Sequence, residues 1–258
     1  MDTTDDTRGL QRLTGTLFAI GALSFAIAAT ILSSSFDWPD ILREPASVVL
    51  PEYVDGGTAL TWTWFATAWT YAILAIPMLL LPRALRRRDD PALMVATAVG
   101  ALSVLLALIG FLRWVFVVAP LADAYVAGGA TERAAIDAAW TAQHQFGGAL
   151  LGEHLGQLLA IGWSVTLSVV ILRSGVLPRW LGASGLVVSA LYLANQGDIL
   201  ETAIPGFPVW DLVGAIGSSA WGLWILALGV TLVTNTVGAG TRQTAPEAPR
   251  YGRGRVPS

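Results

Sequence analysis

The sequence contains no cysteine and no lysine, and only 13% of its 258 residues are charged. Without cysteine the chain has no disulfides, thiolate nucleophiles or iron–sulfur ligands. Without lysine it cannot form the Schiff base on which retinal and pyridoxal chemistry depend. All fifteen basic residues are therefore arginine. They form no basic patch with interleaved aromatic residues, so no nucleic-acid partner is predicted.

The common catalytic motifs are missing as well. The sequence has no phosphate-binding loop, no G-x-S-x-G, no H-E-x-x-H and no dinucleotide fingerprint. These absences weigh against the common enzyme classes and favour a role other than catalysis. The sequence predicts neither a catalytic residue nor a cofactor.

Long apolar runs dominate what is present. Hydrophobic residues make up 54% of the chain, and a run of about 20 such residues spans the ~30 Å hydrocarbon layer as a helix. We therefore predict an all-α fold, a polytopic membrane helical bundle whose immediate partner is the lipid bilayer. Six transmembrane helices are expected, at about residues 13–32, 60–81, 92–118, 146–172, 180–196 and 212–233.

The segments outside these spans complete the expected domain organisation. Residues 36–58 alternate acidic and apolar side chains, which indicates a short interfacial helix after the first span. The segment 236–258 has no apolar periodicity and is expected to be a disordered cytoplasmic tail. Residues 1–235 are then one membrane domain.

The arginines predict the orientation. With both termini in the cytoplasm, the inner segments contain twelve of the fifteen arginines. The outer segments contain Arg43 and Arg133, and Arg113 lies inside a span. The positive-inside rule thus predicts a multi-pass protein of the cell inner membrane, with N-in and C-in topology.

The fourth span carries small residues at every fourth position. A ridge of this kind lets helix backbones approach closely in lipid, which predicts a central packing helix and offers a face for oligomer formation. The ridge consists of Gly148, Gly152, Gly156, Ala160, Ser164 and Ser168.

Polar residues of several spans are predicted to lie at one level. Counted at ~1.5 Å per residue from the inner ends, they come out roughly 25–31 Å up, near the outer edge of the hydrocarbon. Ionisable groups inside a membrane are functional-site candidates, so we expect an outward-facing cluster that binds a small molecule or ion. The candidate ligand-binding residues are Arg113, Glu153, His154, Gln157, Asn195, Asp198 and Asp211.

Within this cluster, Arg113 and Glu153 are the predicted ion pair. Three roles stay open: a structural lock between two spans, with Arg113 reaching to the interface, a ligand site, or a metal site. No metal is predicted, because ten residues separate His144 from His154, about 15 Å along a helix, and Glu153 points ~100° away from His154. His144 is expected to be an interfacial polar residue.

Tryptophan is concentrated near the predicted outer boundary. Six of the eleven tryptophans lie there, which an aromatic belt at the membrane interface explains. They are Trp38, Trp62, Trp64, Trp114, Trp140 and Trp210.

Two segments resemble a known family. Residues 171–182 read ILRSGVLPRWLG, and Gly152-Glu-His-Leu155 precedes them. Together with the Asp-Trp-Pro stretch after the first span, these motifs are similar to the prokaryotic membrane proteins called domain of unknown function 4386. The resemblance covers about residues 8–235 and implies a multi-span helical bundle. It implies no activity, so no functional residue is carried over.

Three functions are compatible with these features. The first is a transporter-like or sensor-like module in which the outer cluster binds a small molecule or ion. The second is an intramembrane, metal-assisted enzyme that uses His154, Glu153 and the acidic residues of the last outer loop. The third is a structural membrane subunit that packs through its small-residue faces.

Overall fold

The computed structural model describes the backbone of residues 3–234 and the side chains of residues 7–210 and 212–234. This part is built from helices without a β-strand, which confirms the predicted all-α bundle. The predicted tail at 236–258 lies outside the described residues. The helices are α1 (Thr3–Phe36), α2 (Ala46–Ala72), α3 (Ala75–Ala84), α4 (Pro91–Arg113), α5 (Ala119–Ala127), α6 (Ala130–Gln143), α7 (Gly156–Ser174), α8 (Arg179–Leu193), α9 (Gln196–Glu201) and α10 (Asp211–Thr234).

Three shorter elements join these helices. A 3-10 turn, Asp40–Arg43, connects α1 to α2, and a π-helical turn, Trp114–Val118, links α4 to α5. A second π-helix, His144–Leu155, lies between α6 and α7. Asp90 caps α4 by accepting hydrogen bonds from two backbone amides. α7 ends at Gly175, whose positive φ of 63° fits the left-handed C-cap for which glycine is suited.

Five stretches of the described chain are long and apolar enough to cross a membrane: Thr7–Phe36, Ala46–Ala84, Pro91–Ala127, Ala130–Ser174 and Leu212–Thr234. The predicted fifth span corresponds to α8, which has only 15 residues. α8 packs between α7 and α10, and α9 follows it after a short turn. The count of six crossings therefore stays a prediction.

The long helices form a closed ring. Neighbours pack in the order α1, α2 with α3, α4, α7, α8 and α10, and α10 returns to α1. The closure between α1 and α10 depends on two glycines, because a Cβ on Gly229 would come within 2.7 Å of the Gly15 carbonyl oxygen. Gln11 adds a buried hydrogen bond from its side-chain amide to the Leu232 carbonyl, at 3.0 Å.

A short helix follows the first span, as predicted. After the 3-10 turn the chain starts α2 at Ala46, and Gly57, with φ 58° and ψ −155°, divides α2 into two helices. The part before Gly57 is the short helix, and the part after it agrees with the predicted start of the second span near residue 60. The apolar residues between the acids pack inward, since Val49 and Leu50 are fully buried in the core. The position of the short helix at the membrane interface stays a prediction.

The small-residue ridge has the predicted packing role. A Cβ on Gly152 would lie 2.9 Å from the Gly110 Cα, whereas a Cβ on Gly156 would make ordinary contacts with the α4 backbone, at 3.5 Å from the Ala107 nitrogen and 3.6 Å from the Ser103 oxygen. Further along α7, the Ser164 hydroxyl accepts a buried hydrogen bond from the Trp221 indole at 2.7 Å. Because the ridge packs against α4, α8 and α10 of the same chain, a partner protein would have to use other faces.

Candidate functional site

Arg43 joins three elements at one end of the bundle. Its guanidinium Nη2 lies 2.7 Å from a Glu153 oxygen on the π-helix and 2.6 Å from an Asp198 oxygen on α9. Its Nε donates to both Asp198 oxygens at 3.1 Å. The exposed fractions of the side chains are 27% for Arg43, 16% for Glu153 and 36% for Asp198. Glu153 is therefore the inner acid and Asp198 the rim acid.

The 3-10 turn fixes the position of Arg43. Ile41 and Leu42 within the turn are buried, and the Ile41 amide donates to the Asp37 carbonyl at 3.0 Å. These anchors leave Arg43 at the end of the turn, facing the π-helix and α9. Burial of the guanidinium opposes its charge, but the Glu153 charge and the bonds to both acids outweigh burial and raise the pKa of Arg43. The guanidinium therefore stays protonated from acidic to strongly alkaline pH.

A layer of amide side chains continues the site next to this ion-pair cluster. The Gln157 side-chain oxygen accepts from Gln196 at 2.9 Å and from Asn195 at 3.0 Å. The Gln196 oxygen then lies 2.7 Å from Nδ1 of His154. Because the other end of the Gln196 amide donates, its oxygen must accept, which assigns the proton of neutral His154 to Nδ1.

Arg113 lies inside the bundle, with only 6% of its surface exposed. It does not reach to the interface as the structural alternative supposed. Its Nη1 donates to the His144 carbonyl at 3.2 Å, and its guanidinium lies 5.3 Å from the Trp114 ring centroid. Gly148 leaves the space for this side chain, since a Cβ there would overlap with the guanidinium.

The predicted ion pair between Arg113 and Glu153 is wrong, because Glu153 has a different partner. Glu153 forms its ion pair with Arg43 instead, although Arg113 lies within electrostatic range of both groups. Within the described residues, Nε of Arg113 and Oε1 of Glu153 are buried without a hydrogen-bond partner. The cluster thus contains two guanidinium groups and two carboxylates and is neutral as a whole; without the rim acid Asp198, the inner groups carry a net charge of +1.

His144, which was predicted to be an interfacial polar residue, is buried within the bundle, and its depth in the membrane stays a prediction. Its side chain is buried, its ring lies 4.9 Å from the Trp140 ring, and Nδ1 is unpartnered within the described part of the chain. The π-helix between His144 and His154 also replaces the continuous α-helix on which their expected spacing relied. π-helical segments are frequently found at functional sites.

Three of the six boundary tryptophans form a buried aromatic cluster instead of a belt. Trp64 and Trp114 stack at 4.5 Å with an interplanar angle of 4°, and Trp140 meets Trp114 at 5.8 Å. Phe36 and Tyr53 complete the cluster. These rings fill the interior between α2, α4 and α6, where burial of aromatic surface stabilises the fold. Trp62 and Trp210 are exposed, as a belt requires.

The described structure thus brings most of the predicted site residues together. Asp211 starts α10, but its side chain is outside the described part. Sequence reasoning missed Arg43, which was counted only for topology, and it left Gln196 out of the candidate residues. Among the described residues, no group of three or more His, Asp or Glu side chains has an arrangement that could hold a metal ion.

Comparison with known proteins gives one match. A family model described as a domain of unknown function (DUF4386) matches residues 13–229, which is most of the chain. No curated protein and no solved structure matches the chain.

Proposed function

Since the chain belongs to the family described as domain of unknown function (DUF4386), whose description assigns no activity, we propose a function from the geometry of the site. The protein is a sensor-like membrane module that binds a small carboxylate anion. The anion would bind at the outer end of the bundle, between Arg43 and Arg113. The observation that carries this proposal is the buried Arg113, which has a backbone carbonyl but no carboxylate as hydrogen-bond partner within the described residues.

Electrostatics favours an anion over a cation. A buried charge in a membrane protein is costly unless an opposite charge compensates it. Arg43 and Arg113 carry two positive charges, and Glu153 and Asp198 carry two negative charges. When Asp198 leaves Arg43, one excess positive charge remains, which a monovalent anion would neutralise. Guanidinium groups also recognise carboxylates by paired hydrogen bonds, as Arg43 already does with Asp198.

Asp198 suggests how a ligand would enter. It is the most exposed of the three ion-paired side chains, and its carboxylate occupies one edge of the Arg43 guanidinium. A ligand carboxylate would replace it there while Arg43 keeps its bond to Glu153. A sensor fits better than a transporter because large apolar side chains, among them Phe18, Trp163 and Leu228, fill the interior beyond the site.

Probe binding to the purified, detergent-solubilised full chain tests the proposal. The probes are sodium acetate, sodium chloride and ethylammonium chloride at one ionic strength, with the unfolding temperature as readout. We expect the unfolding temperature to be higher in sodium acetate than in sodium chloride, and the increase to saturate with acetate concentration. Ethylammonium chloride should give the same unfolding temperature as sodium chloride. Arg113→Gln should abolish the acetate effect. Asp198→Asn should tighten acetate binding by about threefold to fivefold, because an exposed ion pair is worth up to ~1 kcal/mol.

Arg133→Gln is the matched control, because Arg133 is an exposed arginine on α6 that bonds only to backbone carbonyls. It should leave the acetate effect unchanged. Stabilisation by ethylammonium but not by acetate would show a cation site and overturn the proposal. If no probe binds to Asp198→Asn, in which Arg43 has lost its rim partner, the cluster is a structural lock between helices.

We also propose that α8 crosses the membrane, so that both termini lie on the cytoplasmic side. The absence of cysteine allows single-cysteine labelling with a membrane-impermeant maleimide in intact cells. Gly129→Cys and Glu201→Cys should react from outside, whereas Arg88→Cys and Arg179→Cys should react only after permeabilisation. If Arg179→Cys and Glu201→Cys react from the same side, α8 does not cross.

A further inference from the structure

A groove of about 480 Å³ lies at the end of the bundle opposite the ion-pair cluster, between the start of α4 and the end of α7. One end of the groove is polar and is lined by Arg87, Arg173 and Ser174. The rest of its wall is mainly apolar: Val165, Val169 and Val170 of α7 line it together with Ala92 of α4, and Thr166 is the polar residue among them. The groove therefore joins a cationic end to a mainly apolar wall.

The polar end has an excess of positive charge. Asp90 is the acidic residue in the lining, and its carboxylate is already engaged: it caps α4 and pairs with Arg87 at 3.1 Å. Arg173 is exposed and has no ion pair among the described residues. Arg83, in the last turn of α3, and Arg86, in the connection between α3 and α4, are also exposed. An anionic group at this end would meet several guanidinium groups.

We propose that this groove binds an anionic phospholipid, with the headgroup phosphate at Arg87 and Arg173 and an acyl chain along α7. The lining residues 165–170 of α7 extend for roughly 8 Å at ~1.5 Å per residue, so this wall would hold the part of an acyl chain nearest to the headgroup. The arginine-rich end is the one that the positive-inside rule assigns to the cytoplasm. Basic pockets between transmembrane helices on that side are suited to acidic headgroups.

The apolar wall distinguishes a lipid from a soluble phosphate. Free phosphate would use only the arginines, whereas a phospholipid also removes the valine side chains from contact with solvent or detergent. The proposal does not depend on the outer site, because the two sites lie at opposite ends of the bundle and share no residue. Failure at one end therefore leaves the other proposal standing.

The test uses the full chain in dodecylmaltoside micelles at ~150 mM salt, where long-range surface attraction is screened. Dioleoylphosphatidylglycerol, dioleoylphosphatidylcholine and inorganic phosphate are added in turn, and lipid retention and the unfolding temperature are measured. We expect phosphatidylglycerol alone to be retained and to raise the unfolding temperature. Arg173→Gln should weaken its binding about fivefold.

Arg179→Gln is the matched control: Arg179 is exposed at the same end but does not line the groove. We expect it to change phosphatidylglycerol binding less than about twofold, since screening weakens a charge outside the groove. Val169→Trp fills the apolar wall while leaving both arginines in place, and it should reduce lipid retention without the loss of a charge. Equal effects of Arg173→Gln and Arg179→Gln, equal retention of the two lipids, or the same stabilisation by inorganic phosphate would each overturn the proposal.

Discussion

Replacing Gly152 with valine is expected to lower the free energy of unfolding by about 3 kcal/mol, within the usual cost of inserting methyl groups into a packed interior. The reason is a backbone contact. A Cβ at this position would lie 2.9 Å from the Cα of Gly110 on α4. This neighbour is a backbone atom, which cannot move aside as the end of a flexible side chain can. The π-helix and α4 would have to separate. Equilibrium unfolding in mixed micelles, followed by tryptophan fluorescence, measures the change.

Gly162→Ala is the control in the same chain segment. The alanine Cβ would lie 3.9 Å from the Val99 side chain, an ordinary van der Waals contact. Alanine in a helix interior is also more stable than glycine by roughly 0.5–1 kcal/mol. We therefore expect unchanged or slightly increased stability. If Gly152→Val were as stable as Gly162→Ala, the close packing of the ridge against α4 would be wrong.

Replacing Arg43 with alanine is expected to lower the free energy of unfolding by about 2 kcal/mol. Removing one partner of a fully buried ion pair costs 3–5 kcal/mol, and the partial exposure of Arg43 and Glu153 reduces this figure. Most of the loss should come from Glu153. Its carboxylate is 16% exposed and would lose the one cation to which it is bonded among the described residues. The same unfolding measurement gives the value.

Double-mutant cycles separate the two ion pairs. The coupling of Arg43 to Glu153, from Arg43→Ala, Glu153→Gln and the double variant, should exceed the coupling of Arg43 to Asp198. Asp198 is the more exposed acid, so its coupling should stay near the ~0.2–1 kcal/mol of surface pairs. The pair of Arg87 with Asp90, partly exposed at the other end of the bundle, serves as a reference. Equal couplings for both acids would contradict the distinction between inner and rim acid.

The helical architecture could be predicted because long apolar runs carry their own signal. Residues 13–32 and 92–118 lie inside helices that are long enough to cross a membrane. The short helix before Gly57 could also be predicted, but its packing could not. Val49 and Leu50 are buried against other parts of the chain, and no local pattern in residues 36–58 reveals that contact.

The candidate site could be predicted only in part, because the sequence indicates distances along helices but not the path of the turns between them. Counting residues along helices places Glu153, His154 and Asp198 at one level, since distance along a helix follows from the rise per residue. It does not place Arg43, which reaches Glu153 through the path of a connecting turn. The partner of Glu153 is 110 residues away in sequence, so the ion pair depends on tertiary structure.

The π-helix limits what can be predicted about shared helix faces. Predictions of which side chains share a face assume the period of an α-helix, about 100° per residue. The π-helix has hydrogen bonds from residue i to i+5 and therefore a different period. The sequence does not reveal this change of helix type between His144 and Leu155. For Trp64 and Trp114, proximity to the boundary indicated a belt, but only tertiary packing separates a buried ring from an exposed one.

The contact between α1 and α10 has a consequence for biosynthesis. Gly15 belongs to the first helix and its partner Gly229 to the last one, so their contact must wait for nearly the whole chain to be made. At translation rates of roughly 5–20 residues per second, the wait is roughly 10–40 s. During this time the Gly15 face of α1 has only lipid or a chaperone to cover it. We therefore expect nascent chains that stop before α10 to be substrates for membrane quality control.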